Sequence, residues 1–369
     1  MNGILLHKFS NHDILRQYGK GLIIDLNGKR RVLSTSMLNG GISDNLSHVF
    51  NFNCLADDYD CYLHYDTYED ELKANALTLG LSPEKSTGIS TAAFVECAAI
   101  CTKEYKNLSV TAIVTAGVDH NAVRIGDPAS YHEESGIYTP LSPGTINILL
   151  YINHAMPHGA LIRAVTMCTE AKTAALQELM LGSCYSCGIA TGSGTDGTII
   201  VCDMESSSLL TDAGGHSKLG ELIGQSVKTA VKEALNNQTS ASSARQHSIL
   251  ERGRRFGICL SSLWSHYQTH FMGNECIHLS IFEHKLYEMH QNSNAVVFSS
   301  LYFHMLDQYQ WKLLEWPEIL REAKSLCSWF LTTNHLSLDF LFHISYTTDQ
   351  PLEDLLSLYQ TAIITYLIH

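Results

Sequence analysis

The chain reads as an α+β protein: a layered, mixed or antiparallel sheet packed by helices, followed by a mainly helical C-terminal domain. Three observations predict this. Hairpin signals punctuate the first 115 residues, a strand–helix–strand–helix succession runs over residues 145–235, and the region after residue 245 is helical in pattern and rich in aromatic residues.

The elements follow in order. Gly21–Leu26 and Arg30–Ser34 are apolar or β-branched runs on either side of Asn27-Gly28-Lys29, which predicts a hairpin. Ala92–Tyr105 and Leu108–Thr115 flank Lys106-Asn107 and predict a second. Thr145–Asn153 has the Ile and Leu density of a buried strand. Residues 159–181 have helix-forming composition, and Gly182 marks a stop. Thr198–Asp203 predicts another strand. In 216–235 the apolar residues Leu219, Ile223, Val227, Ala230, Val231 and Ala234 recur at helical spacing. The stretch 236–244, Asn-Asn-Gln-Thr-Ser-Ala-Ser-Ser-Ala, lacks apolar periodicity and reads as a linker. It divides the chain into domains 1–240 and 245–369. In the second, Trp311, Trp316 and Trp329 surround Pro317, and Pro351 opens a last helix over about Leu352–Ile368.

Composition narrows the function. With 369 residues, 45% apolar and 17% charged, the chain has ample material for packed cores. Lys plus Arg number 24 against 37 Asp plus Glu, a formal charge of -13. So acidic a chain is poorly suited to a phosphate backbone, so nucleic acid is not an expected partner. Neither a signal-like N-terminus nor an apolar run of membrane-spanning length is visible, so a cytoplasmic protein without membrane attachment is expected. The 11 cysteines are scattered and read as small buried hydrophobes.

Several short motifs are weaker than they look. Gly192-Ser193-Gly194-Thr195-Asp196-Gly197 matches the dinucleotide pattern literally, but a β-branched strand follows where that fingerprint needs a helix. The turn still exposes backbone amides and the short hydroxyls of Thr191, Ser193 and Thr195, with Gly194 allowing close approach. Cys184-Tyr185-Ser186-Cys187 is a lone C-x-x-C and reads as structural, and His266 and His270 read as packing histidines. On the first helix, Glu170, Thr173, Gln177 and Glu178 share a face while Lys172 points elsewhere. Gly214-Gly215-His216-Ser217-Lys218 opens the second helix, where free N–H groups favour negative charge. Asn121 and Asp127 follow the strand ending near Gly117. Asn147 and Asn153 sit on or beside an otherwise apolar strand, as an internal polar network or as the lining of a pocket. Amides suit a ligand that itself carries neutral amides.

Together these stretches resemble the adenosylcobinamide amidohydrolase family. The segments carrying the resemblance are TAGVDHNAVRIGD (115–127), GTINILLYIN (144–153), TEAKTAALQEL (169–179), ATGSGTD (190–196) and GGHSKLGELIG (214–224), over roughly residues 20–236. The extension 245–369 shows no family pattern and inherits no function. The resemblance implies hydrolysis of the amide joining the corrin propionyl side chain to aminopropanol in adenosylcobinamide, giving adenosylcobyric acid for cobamide salvage. A large, flat corrinoid, cationic at cobalt and fringed with carboxamides, is then the expected partner. An acidic chain with Asn- and Thr-lined, glycine-rich loops suits it.

Amide hydrolysis needs an activated water, stabilisation of an oxyanion and a proton for the departing amine. The expected base is His216 or Glu170. Lys218, or the amides at Gly214-Gly215, would face the oxyanion, and Asp196 would orient the base or bind the aminopropanol hydroxyl. Asn121, Asp127, Thr145, Asn147, Thr191, Gly194 and Thr195 would hold carboxamides. No Ser or Cys stands beside an evident base in the sequence, so direct attack by water is expected rather than a covalent intermediate. No cofactor is expected, although a metal-activated water held by His216, Asp196 and Glu170 stays open. A carrier that binds corrinoids without cleaving them is the alternative function. The C-terminal helices would cover the pocket or form a homodimer. All of this requires the loops 117–127 and 191–197 and the glycine pair before His216 to meet around one cavity.

Overall fold

The computed structural model describes residues 3–56, 61–62, 64–130, 132, 144–271, 277–338 and 351–369. The chain divides into two compact units, Met1–Ser242 and Ser243–His369.

The first unit contains β1 (Ile4–Lys8), β2 (Ile14–Tyr18), β3 (Gly21–Asp25), β4 (Arg30–Ser34), β5 (Gly41–Ser43), β6 (His48–Asn53), α1 (Tyr68–Thr78) and β7 (Ser86–Thr91). These are followed by β8 (Ala99–Tyr105), β9 (Leu108–Gly117), β10 (Ala122–Val123), β11 (Thr145–Ile152), α2 (His158–Glu178), β12 (Gly192–Ser193), β13 (Gly197–Asp203) and α3 (Lys218–Thr239). One sheet has the order β1-β2-β3-β6-β7 and the other β5-β4-β13-β11-β9-β8. Both are mixed: β6 with β7 and β11 with β13 are parallel, and the other neighbours are antiparallel. The α+β expectation is met.

Alternation along the central strands explains the layering. On β11, Ile146, Ile148, Leu150 and Ile152 face α2 and α3 in one apolar core. Leu149 and Tyr151 face the opposite way, into a second core shared with Leu15, Leu22 and Val49 of the other sheet. A third core packs α1 on the outer face of that sheet, through Leu72 and Ala76 against Ile23 and Phe50. The order is thus helix, sheet, sheet, helix pair. Because both its faces are covered, β11 is buried throughout, as a near-continuous apolar run requires.

Polar groups close the inter-sheet layer at its two ends. At one end Asn147 donates to Asn51 Oδ1 (2.9 Å) and to the Ser90 carbonyl (2.7 Å), and Asn51 donates to Thr115 Oγ1 (2.8 Å). At the other, Arg30, 2% exposed, donates to Asp13 (2.7 Å), Asp203 (2.8 Å) and Glu205 (2.8 Å), while the Tyr151 hydroxyl donates to Asp13 at 2.6 Å. Burial opposes the Arg30 charge, but the hydrogen bonds that it donates to Asp13 and Glu205 outweigh it and raise its pKa.

Three expectations need correction. Gly21–Leu26 and Arg30–Ser34 do not form a hairpin: β3 pairs with β2 and β6, whereas β4 joins the other sheet beside β13. The Asn-Gly turn carries the chain between layers, a choice made by burial on both faces and not by the turn. The strand expected from Ala92 begins at Ala99, because residues Val95–Cys97 form a 3₁₀ turn whose preceding Phe94 amide donates to the Gln238 side chain (3.0 Å). Residues 236–239 extend α3, which ends at Ser240 in the left-handed conformation (φ 56°). The hairpin at Lys106-Asn107, β11, α2 and β13 lie where the pattern places them.

The second unit holds α4 (Ile249–Gly253), α5 (Leu260–His270), α6 (Leu279–Met289), α7 (Ser293–Gln310), α8 (Trp316–Thr333) and α9 (Pro351–Ile368). Phenylalanines and tyrosines build most of its core, with Trp264 packed on Tyr267 and Phe282. Phe298 stacks on Phe330 (4.4 Å) and Tyr359 (5.6 Å), whereas Trp311 and Trp329 are exposed. No described helix is long and apolar enough to cross a membrane.

Candidate functional site

Strand register assembles one end of the first unit. β9 finishes at Gly117 opposite Thr145, the first residue of β11, and Gly197 opens β13 beside Asn147. The loops beyond these termini are clipped together where β10 pairs antiparallel with β12. Thr145 Oγ1 donates to the Thr195 carbonyl (2.8 Å), and Thr195 Oγ1 donates to the Gly144 carbonyl (2.9 Å). Loops 117–127 and 191–197 therefore do meet.

At their centre is an ion pair between Lys172 of α2 and Asp196, whose side chains are 12% and 13% exposed. Asp196 also accepts from the Ile146 amide (2.9 Å), the Ser193 amide (3.0 Å) and the Ser193 hydroxyl (2.5 Å). The glycine pattern serves this pair: a Cβ on Gly192 would lie 2.4 Å from Asp196 Oδ2 and 2.9 Å from Lys172 Nζ. The expectation that Lys172 points elsewhere is wrong as far as the site is concerned. It is the next residue, Thr173, that donates to the Thr191 carbonyl (3.1 Å), and Gln177 donates to the Ala190 carbonyl (3.2 Å), so the loop wraps far enough to take Lys172 as well. Ser193 adjoins Asp196, but that carboxylate is already occupied by Lys172 and by the Ile146 and Ser193 donors.

Most residues expected to grip a ligand hold the scaffold. Asn121, 1% exposed, donates to the Gly144 carbonyl (2.9 Å) and accepts from Tyr185 (3.2 Å). Asn147 uses its amide on Asn51 and Ser90 and accepts from the Gly197 amide (3.1 Å). Thr191 Oγ1 accepts from the Ile125 amide (2.9 Å). Asp127 accepts from Ser183 (2.7 Å) and from the Arg124 amide (3.0 Å). Burial works against its ionised form, but the hydroxyls of Ser183 and Ser186 and the Arg124 amide and charge outweigh it and lower its pKa. Gly194 and Thr195 are exposed at the loop tip. Glu178 is drawn off by Lys228 (2.8 Å) and Lys232 of α3. Glu170 lies one helical turn before Thr173, exposed, with no hydrogen-bond or ion-pair partner among the described residues.

The third part of the expected cavity is elsewhere. Lys218 reaches over the Tyr105 ring (4.8 Å), and Tyr105 pairs with Leu108 at the opposite end of β9 from Gly117. The other end of α3 is the one near the site, with Gln238 against Gly117. Nine steps along β9 at about 3.3 Å separate the two ends by roughly 30 Å. Lys218, at the start of α3, is therefore remote from Asp196, while Gly214 and Gly215 lie against Arg163 and Met167 of α2, about 14 and 8 Å along that helix before Lys172. Lys218 is paired with Glu221 (2.5 Å), and Ser217 caps α3 by accepting from the Gly220 amide (3.0 Å). His216, Asp196 and Glu170 are not gathered into a metal set. Among the described residues no cluster of three or more His, Cys, Asp or Glu is placed to hold a metal ion.

Residues 6–243 match the family model described as adenosylcobinamide amidohydrolase. An uncharacterized protein of Methanocaldococcus jannaschii is 36% identical over 230 residues, which is 59% of this chain and 87% of that protein. A crystal structure of the PH0078 protein from Pyrococcus horikoshii aligns at 12% identity and a TM-score of 0.30, over 70% of this chain and 91% of that one.

Proposed function

The chain belongs to the adenosylcobinamide amidohydrolase family, and from that premise we propose that its first unit hydrolyses the amide between the corrin propionyl side chain and aminopropanol in adenosylcobinamide, as a cytoplasmic salvage reaction. One observation carries the placement of the chemistry: parts of four separated family segments, contributing Asn121, Thr145, Lys172 and Asp196, meet at one end of the sheets around an ion pair, with the exposed Gly194–Thr195 tip beside it.

Each residue then has a task. Glu170, an exposed carboxylate of α2 without a hydrogen-bond or ion-pair partner among the described residues, takes a proton from the attacking water. The Lys172 ammonium, held in place by Asp196, faces the oxyanion that forms as water adds to the carbonyl. Collapse of the tetrahedral intermediate breaks the C–N bond, and the proton on Glu170 passes to the departing amine. Asp196 is a positioning residue, since its four donors leave it little capacity to abstract a proton. The tip at Gly194 and Thr195 approaches the carboxamide fringe.

A second reading rests on the opposite end. There the N-termini of α2 and α3 stand at the carboxyl ends of the parallel strands β11 and β13, where α/β sheets commonly bind ligands, and His216 is exposed. The experiment separates the two. Lys172→Met and Glu170→Gln should each lower kcat on adenosylcobinamide by about 10²–10³-fold, read by chromatography of released aminopropanol, while His216→Ala stays within a few-fold of wild type. The reverse pattern moves the chemistry to the His216 end. Binding of adenosylcobinamide without release of aminopropanol would make the protein a carrier.

A further inference from the structure

Cys54 and Cys61 lie beside the end of the sheets that carries the Lys172–Asp196 pair, and neither has a part in the proposed hydrolysis. Their sulfurs are 2.8 Å apart. Both sit on held backbone. The Cys54 amide donates to the Thr91 carbonyl at 2.9 Å, and Cys61 forms an antiparallel bridge with Leu55, whose own amide donates to Asn53 Oδ1 (2.8 Å). Lys20 Nζ adds a bond to the Leu55 carbonyl (2.7 Å). A disulfide needs its sulfurs at about 2.05 Å, so the pair needs less than 1 Å of closure. Two separate main-chain attachments make the approach a property of the fold and not of two wandering side chains.

We propose that Cys54 and Cys61 are a thiol–disulfide pair that closes when the protein meets an oxidised low-molecular-weight disulfide. Cys61 as thiolate attacks one sulfur of that disulfide, forming a mixed disulfide and expelling one thiol. Cys54 then attacks the Cys61 sulfur and expels the second. In sum, two protein thiols are oxidised to one disulfide and the small disulfide is reduced to two thiols. This order leaves the Cys54 thiol, which donates to the Thr91 carbonyl at 3.3 Å, to act second. Its pKa is raised, first by the hydrogen bond with Cys61 and then by burial. The consequence reaches the site by a short route. Thr91 receives Cys54, while the neighbouring Ser90 carbonyl receives Asn147, the amide that joins the two sheets. Closure draws the Cys54 sulfur away from Thr91 and ties an eight-residue ring to the end of β6.

The test uses the full chain equilibrated in glutathione buffers from fully reduced to fully oxidised, quenched with an alkylating reagent and mapped by peptide mass spectrometry. The expected result is a Cys54–Cys61 cross-link replacing both alkylated peptides as the oxidised fraction rises, with loss of two reactive thiols per chain. Cys54→Ser and Cys61→Ser should each abolish the cross-link, and a thermal melt of each variant shows that it is folded. Full alkylation of both cysteines in the oxidised buffer overturns the proposal. So does glutathionylation of Cys61 without transfer to Cys54. Protection of both thiols in the reduced protein that a chelator relieves would also overturn it, in favour of a bound metal.

Discussion

Replacing Asn147 with leucine, of similar volume but without polar atoms, should cost the first unit much of its stability. Asn147 is 1% exposed and its amide binds Asn51 Oδ1, the Ser90 carbonyl and the Gly197 amide. Leucine would leave those three groups without a partner inside the layer. Each orphaned buried group costs about 1–3 kcal/mol, and partial relaxation brings the sum to roughly 3–6 kcal/mol. That is a large share of the 5–15 kcal/mol typical of a folded domain. At a urea dependence of about 2–3 kcal/mol/M, the midpoint should fall by roughly 1–3 M. The chain supplies its own control. All 4 tryptophans lie after residue 243, so their fluorescence reports the second unit, while far-UV circular dichroism reports both. The dichroism transition should move and the fluorescence transition should not. A shift below about 0.3 M would mean that the amide does not join the sheets, and would return Asn147 to the list of ligand-binding residues.

Arg30→Met should be costly at the other end of the same layer. It strands Asp13 and Asp203 in the interior, and removing one partner of a buried ion pair costs about 3–5 kcal/mol; urea denaturation followed by circular dichroism checks it. In the second unit, burial, followed by the charge of His270, lowers the His266 pKa to about 4. Between roughly pH 6.5 and 4 the unfolded chain binds a proton there that the folded chain does not. Stability of this unit should therefore be full above that window and fall as pH drops through it. The loss should shrink in His266→Gln, as measured by tryptophan fluorescence melts from pH 7 to pH 4, and an equal loss in both proteins would contradict it.

Periodicity made the long elements legible. The Ile and Leu run of β11 and the apolar spacing of α3 are local consequences of burial, and both lie within a few residues of where the pattern puts them. Sheet membership was not legible, because β3 and β4 both look like hairpin strands and only tertiary pairing assigns them to different layers. The site was half legible. The family segments grouped Asp196, Thr145 and Asn121 around one cavity, and their loops do meet, but segments carry no information about direction along a strand. A motif at the start of a 22-residue helix and a motif near its end look equally close in a list of segments, yet α3 spans the whole length of β9. Lys172 was missed because helical spacing describes a face, whereas a loop that wraps the helix recruits residues from beside that face. The signal was present in Gly192, the residue whose missing side chain leaves room for the ion pair.

The two polar closures of the inter-sheet layer act as keys that fix its alignment. Sliding one sheet past the other by a single pair of residues would push the Arg30 guanidinium among Leu15 and Leu22 and would bring aliphatic side chains against Asn51. No such offset packs equally well, so the sheets have one setting. Saturation mutagenesis across β4, β6, β11 and β13 should accordingly show a middle zone that accepts any aliphatic residue of suitable size, bordered by two narrow bands that accept almost nothing. The residues near the proposed chemistry inherit their exactness of placement from the nearer of those bands.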